Sequence, residues 1–391
     1  MDEAGTSENS QWEDRASLEK IDFFRHALRD VDKGEVARVL DSLFLTTGSM
    51  VSLFESLFSS YMRTKYTVGV MSCTQALELC LRYYGIGVGD EVITTPLSFV
   101  ATANAIEYVG ATPVFVDVEN TTGNIDVNLI ESVITPRTKA IIPVHLYGQM
   151  CDMVALRALA DTYNLKIIED AAHCIEGERD GYKPGMLGDA ACFSFYATKN
   201  ITSGEGGAIT THDEQMYKWL LKGRSHGLSS NAADRYTKKY EHYDMEFLGM
   251  KCNMTNIQAA MLLHQIERIE ELWQQRKTVF SWYNQLLGDY EKPSVLAGKH
   301  AYHLYTLWLA SDQRDAAIAE LQARNIGVAV NFRPIHLMSY YRQKYGYSVG
   351  MFPQAEMIGS RTLCLPFYPD IEESKVERVC DTIKNFFSIK G

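Results

Sequence analysis

Short apolar runs recur through the first half of the chain, with helix-spaced apolar positions filling the intervals between them. TVGVM (67–71), EVITT (91–95), PVFVDV (113–118), KAIIPVHL (139–146), LKIIED (165–170), AACFSF (190–195) and GAITT (207–211) are predicted strands. TQALELCLRYYG (74–85), FVATANAIEYVG (99–110) and MVALRALADTYN (153–164) are predicted helices, the first two stopped by glycine. Strands alternating with helices predict an α/β fold with a mostly parallel central sheet covered by helices. Upstream, Phe23 to about Phe58 reads as helical, interrupted by LTTG (45–48). After residue 211 the rhythm breaks, with a polar segment rich in Tyr, Lys and Asp from about 225 to 250.

One long helical stretch follows at 255–287. Then come a strand LYTLWLA (304–310), a helix DAAIAELQARN (315–325), a strand GVAVNF (327–332) and a closing helix near 372–388. The expected organisation is a mobile acidic tail (1–20), a large domain (21–270) and a smaller C-terminal α/β domain (271–391), with no internal repeat.

Composition narrows the classes. A net charge of -11 argues against a nucleic-acid binder, which would show a basic face, but leaves room for a small anionic ligand held by a few local donors. The eight cysteines form no CxxC pair and several lie in apolar runs, so they read as reduced core or site residues. MDEAGTSENSQWEDR lacks the pattern of a secretory leader, and no apolar run is long enough to span a bilayer. The expectation is a cytoplasmic protein without membrane insertion.

In open α/β sheets, ligands gather at the carboxyl ends of the strands. SCT (72–74) follows the first strand and opens a helix. Its backbone N–H groups and the Thr74 hydroxyl suit a phosphate, and an ordinary N-cap is the alternative. SCTQAL has no glycine, so a Rossmann dinucleotide site fails at its first requirement. IIEDAAH (167–173) ends a buried strand with two acids and a histidine. An aspartate there is a solvated loop acid, a metal ligand, a partner for a buried cation, or the carboxylate that keeps a proton on a heterocyclic nitrogen. No HxxxH or cysteine cluster stands nearby, so a metal is not expected.

Lys199 stands at the lip of the strand CFSF, before a Thr/Ser/Gly/Glu loop. A single lysine is usually solvated; partial burial or a nearby cation would make its amine a Schiff-base nucleophile. A phosphate cradle, a strand-end aspartate and a strand-end lysine in one sheet favour the second reading, and Ser194 adds a hydroxyl to the cradle. Tyr147 and His145 follow a buried strand, where ligand contacts and simple packing are both open. Arg333 and His336 could receive a carboxylate or diphosphate, or could be surface residues.

LTTG (45–48), SFVATANAI (98–106), PVHLYGQ (143–149), EDAAH (169–173), SFYATKN (194–200), GEGGA (204–208) and CNMTNIQAA (252–260) occur in the order of a known family. From about Ile21 onward the chain resembles the DegT/StrS nucleotide-sugar aminotransferases, fold type I enzymes using pyridoxal 5'-phosphate (PLP). The resemblance implies that Lys199 carries PLP as a Schiff base and moves protons, while Asp170 pairs with the pyridine nitrogen. It also implies that Phe99 stacks on the ring, that Cys73, Thr74 and Ser194 hold the phosphate, and that His173 lies near the phenolic oxygen. Asn253 from a partner subunit would complete the site, implying a homodimer with composite active sites.

Two positions depart from the usual pattern: Cys73 replaces a small residue, and His173 stands where many members have glutamine. Lys199 separates the chain from a dehydratase branch that has histidine there. The loops HGLSSNAADR (226–235), MKCNMT (250–255) and NFRPIH (331–336) look most like the enzymes making UDP-4-amino-4-deoxy-L-arabinose. The implied reaction moves an amino group from L-glutamate, through pyridoxamine phosphate, to a keto carbon (C4) of a nucleotide-linked keto-deoxy sugar, releasing 2-oxoglutarate, for cell-surface polysaccharide or other glycan biosynthesis. A C3-specific enzyme and a PLP-binding regulator without turnover are the alternatives.

Overall fold

A computed structural model describes residues 19–229 and 242–390. Most of the acidic tail, and residues 230–235 of the HGLSSNAADR loop, lie outside the described residues. Seven strands form the main sheet in the order β1-β7-β6-β5-β4-β2-β3. They are β1 (Tyr66–Val70), β2 (Glu91–Thr94), β3 (Thr112–Phe115), β4 (Thr138–Ile142), β5 (Lys166–Asp170), β6 (Ala190–Ser194) and β7 (Gly207–Thr211). β7 runs antiparallel to both β1 and β6, and every other pairing in the sheet is parallel. β1 therefore points the same way as β6, and the carboxyl ends of β1, β2, β4, β5 and β6 share one edge. β5, β6 and β7 are almost wholly buried, as expected of strands covered on both faces.

The helix Cys73–Tyr83 crosses the sheet against β5, β6 and β7, so its first turn opens near the middle of that edge. Its apolar face, Ala76, Leu77, Cys80 and Leu81, packs with Val68, Ile168, Cys192 and Ile209 of the strands. On the other face of the sheet, Phe54 and Phe58 of the helix Ser49–Met62 pack edge-to-face against Phe193 and Phe195.

Three expectations need correction. Residues 23–29, read as helical, lie outside the helix, which begins at Asp30; the Phe23 carbonyl accepts instead from Phe367 N–H. The run 255–287 is two helices, Asn256–Glu267 and Ile269–Leu286, separated at Arg268 (φ -105°, ψ 18°). The Arg268 guanidinium is drawn to buried Asp32 and to the Ala27 carbonyl, holding the break. GVAVNF is no strand, because its backbone groups are divided: Gly327 N–H donates to Ile21 O at 2.8 Å, while Ala329 pairs with Cys364. The partner of β8 (Tyr305–Trp308) is instead β9 (Thr362–Leu365), antiparallel and far along the chain. Around this two-stranded sheet a second core gathers Val279, Tyr283, Leu321, Val376 and Ile383, and Ile21 joins it from the opposite end of the chain.

Candidate active site

Lys199 lies in the turn directly after β6, its N–H donating to Tyr196 O at 2.9 Å. The loop that follows is tied down: Thr202 Oγ1 donates to Phe195 O, and Gln265 bonds both the N–H and the carbonyl of Thr202. Burial pushes the Lys199 amine down to about 8, with the Asp170 charge opposing the shift. A lysine so placed carries a useful fraction of nucleophilic free amine near neutral pH.

Asp170 ends β5, the strand next to β6, opposite Cys192 in register. Its carboxylate is buried and fixed at both oxygens: Thr102 Oγ1 donates to Oδ2 at 2.7 Å, and Ala172 N–H donates to Oδ1 at 3.1 Å. Cys73 Sγ stands 3.8 Å from Oδ1, and burial first, then Asp170, pushes its thiol well above the usual range.

The Ser72–Thr74 turn is an N-cap that leaves first-turn amides open to an anion. Ser72 is the N-cap, its Oγ accepting from Gln75 N–H at 3.2 Å. The N–H groups of Cys73 and Thr74 sit in the first helical turn, where no intrahelical acceptor exists, so they point outward as an anion site. Gly207 of β7 passes so close that a Cβ there would lie 2.4 Å from the Ser72 carbonyl carbon. Ser194, paired with Gly207 across the ladder, ends β6 beside this turn.

His173 is buried, and among the described residues its Nδ1 has no hydrogen-bond partner. Burial first, and Lys199 second, push its pKa well below the ordinary value, so the ring is neutral. Phe99 leaves its ring 59% exposed, facing Phe332 at 6.0 Å. Asn253 pairs by backbone with Val70 at the end of β1. Its side-chain nitrogen donates to Thr47 Oγ1 at 2.6 Å and its oxygen accepts from Lys251.

Other expected residues are occupied within the protein. Tyr147 is 2% exposed and donates its hydroxyl to Asn331 O at 2.6 Å, packing with Leu97, Val118 and Leu304. His145 accepts from Cys151 N–H at Nδ1, so Nε2 carries the proton and donates to Glu169 at 2.7 Å. Glu169 also accepts from Gly185 and Gly188 N–H, which makes this a buried structural bridge. His336 is buried with Nε2 on Glu356 at 3.0 Å, whereas Arg333 is exposed and, among the described residues, bonds Leu337 O at 3.4 Å. The packing reading therefore fits Tyr147, His145 and His336, and Arg333 alone keeps an open guanidinium.

Sequence reasoning assigned no role to Thr102, although it lies inside the quoted SFVATANAI, nor to His303. A threonine one helical turn into a segment carries no sign of the distant carboxylate it will meet. Among the described residues no cluster of three or more His, Cys, Asp or Glu could hold a metal ion, and no helix is long and apolar enough to cross a membrane.

The site's parts fit PLP on the structure's own terms. They are outward-facing amides for a phosphate, an open aromatic face, a buried unpartnered imidazole nitrogen, a doubly anchored carboxylate and a lysine of lowered pKa. Comparison with known proteins agrees. Residues 27–384 match the DegT/DnrJ/EryC1/StrS aminotransferase family, and the chain belongs to it. It is 41% identical to the spore coat polysaccharide biosynthesis protein SpsC of Bacillus subtilis, over 91% of this chain and 94% of that protein. It is 38% identical to GDP-perosamine synthase of Caulobacter vibrioides, over 93% of this chain and 97% of that protein. A putative sugar aminotransferase from Streptococcus pneumoniae, solved in PLP and PMP forms, superposes with a TM-score of 0.87 at 30% identity, over 94% of this chain and 98% of that one in the PLP form. The expected architecture, fold type I with a mostly parallel sheet, holds.

Proposed function

We propose that this PLP-dependent aminotransferase transfers an amino group from L-glutamate to a keto carbon, at C4, of a nucleotide-linked keto-deoxy sugar used in building a polysaccharide or other glycan. The observation that carries the reading is Lys199, with its amine held near 8, in electrostatic contact with an Asp170 fixed by two hydrogen bonds. Names of relatives support the substrate class: one acts in spore coat polysaccharide biosynthesis and one makes GDP-perosamine, a nucleotide-linked sugar. Neither name is that of the UDP-4-amino-4-deoxy-L-arabinose group, so C4 rests on the loop motifs alone.

When bound, PLP supplies an electron sink for the carbon attached to the reacting nitrogen. The protein supplies the rest. First-turn amides of Cys73 and Thr74, with the Thr74 and Ser194 hydroxyls, would bind the phosphate. Phe99 would offer a ring face, and Asp170, kept from rotating by Thr102 and Ala172, would hold a proton on the pyridine nitrogen. Lys199 Nζ would hold the cofactor and, as the general acid–base group beside it, would take and return a proton, help that typically contributes ~10²–10⁴-fold. Arg333 is the candidate for a substrate anion, as a planar fork suited to carboxylate or diphosphate.

The same proposal places the enzyme in the cytoplasm as a homodimer, with Asn253 of each chain reaching the other's phosphate site. It also divides the chain at about residue 270, where the helix after Arg268 carries Ile269 and Leu272 in one core and Val279 and Tyr283 in another.

The test is a half-reaction. Holoprotein mixed with L-glutamate should lose its PLP absorbance and release 2-oxoglutarate. It should then regain that absorbance with one member of a panel of UDP-, GDP- and dTDP-linked keto sugars. Bound PLP without conversion by glutamate would leave the regulator reading standing. Conversion restored only by a 3-keto sugar would move the reaction to C3.

A further inference from the structure

Beneath Lys199 runs a buried polar chain that the reaction above leaves unused. Arg276, on the helix Ile269–Leu286, donates from Nη2 to the Asn200 carbonyl at 2.6 Å, and its Nη1 stands 3.8 Å from Glu176 Oε1. Asn200 immediately follows Lys199. Its Nδ2 donates to Glu176 Oε2 at 2.8 Å and to Ala301 O at 2.9 Å.

Two acceptors on that nitrogen settle which way round the amide lies. Asn200 Oδ1 is therefore the atom 2.9 Å from His303 Nδ1, and an amide oxygen only accepts. His303 must carry a proton on Nδ1 and a lone pair on Nε2. Burial, with further contributions from the positive charges around it, keeps the second proton off. The resulting flat, uncharged ring packs on His173, with centroids 4.2 Å apart and planes 34° from parallel. Phe332 also lies against His173, at 5.7 Å and 21°. The unpartnered Nδ1 of His173 is thus aimed by its ring contacts, since no hydrogen bond from the protein aims it.

We propose that His303 is a positioning residue for the chemistry at Lys199: Asn200, held by Glu176, Ala301 and Arg276, fixes His303 in its neutral Nδ1–H form, and the His303 ring orients His173 toward the cofactor. The proposal rests on PLP binding at Lys199.

It separates the ring of His303 from its hydrogen bond, so two variants test it. His303→Phe keeps an uncharged ring and lacks the donor to Asn200; His303→Gln can keep a donor and lacks the ring. The readouts are the PLP dissociation constant by absorbance titration and the melting temperature of cofactor-free protein. His303→Phe should lower the melting temperature, because Asn200 Oδ1 loses its partner, yet bind PLP within about threefold of wild type. His303→Gln should weaken PLP binding by about tenfold and lose that penalty when His173→Ala is also present, because residues acting through one another are not additive.

Equal weakening in the Phe and Gln variants, or full additivity with His173→Ala, overturns the role of His303 and leaves the aminotransferase assignment untouched. A wild-type protein that fails to bind PLP overturns the cofactor reading, and this proposal with it.

Discussion

Lys199 and Asp170 influence each other in a direction that can be measured. Burial lowers the lysine's pKa to about 8 and the Asp170 charge opposes that shift. The amine is protonated below about 8 and free above it, so capture of PLP by cofactor-free protein should accelerate as pH rises through that value. Asp170→Asn removes the opposing charge and should move the midpoint downward; a midpoint that stays put would show that the two groups do not communicate. Lys199→Ala should abolish both borohydride-trapped PLP and turnover. Thr102→Val keeps the shape but loses the 2.7 Å bond to Asp170, a hydrogen bond to a charged group worth ~1.5–3 kcal/mol. PLP affinity should fall by about tenfold, read by absorbance titration. The placing of Lys199, Asp170 and the Ser72–Thr74 turn was legible in sequence because each sits at a strand end. Thr102 and His303 were not, since their partners lie 68 and 103 or more positions away in the chain (Asp170 for one, Asn200 for the other).

At the scale of elements, the proposed phosphate cradle depends on β7 passing tightly beneath the Ser72–Cys73 turn. Gly207→Ala would place a methyl 2.4 Å from the Ser72 carbonyl carbon and 2.7 Å from Cys73 N, both backbone atoms that cannot swing aside. The expected cost is about 1–3 kcal/mol of stability, seen in denaturant melts, together with loss of PLP affinity out of proportion to it. Helix and strand assignments in the first half followed from periodicity, because a buried parallel strand and its covering helix each have a local pattern. The second half misled where backbone groups were claimed by remote segments. Gly327 bonds Ile21, Ala329 bonds Cys364, and Arg268 is pulled out of helical geometry by Asp32 and the Ala27 carbonyl.

For the whole molecule, the decisive prediction concerns shared sites. Lys199→Ala and Asn253→Ala chains, each inactive alone, should regain activity when mixed and allowed to exchange subunits, since one site per mixed dimer would then be intact. Failure to complement, with sedimentation showing a monomer, would remove the composite-site proposal.

The sequence by itself determined the alternation of strands and helices, the strand-end edge that Lys199, Asp170 and the Ser72–Thr74 turn share, and their order along the chain. Those follow from local hydrophobic period and from residues adjacent in the chain. Only the tertiary structure decided that Asp170 is held by Thr102, that β9 rather than 327–332 completes the second sheet, and that Tyr147 and His336 are occupied inside the protein. Each depends on which distant groups meet once the backbone closes, and a linear pattern carries no record of that.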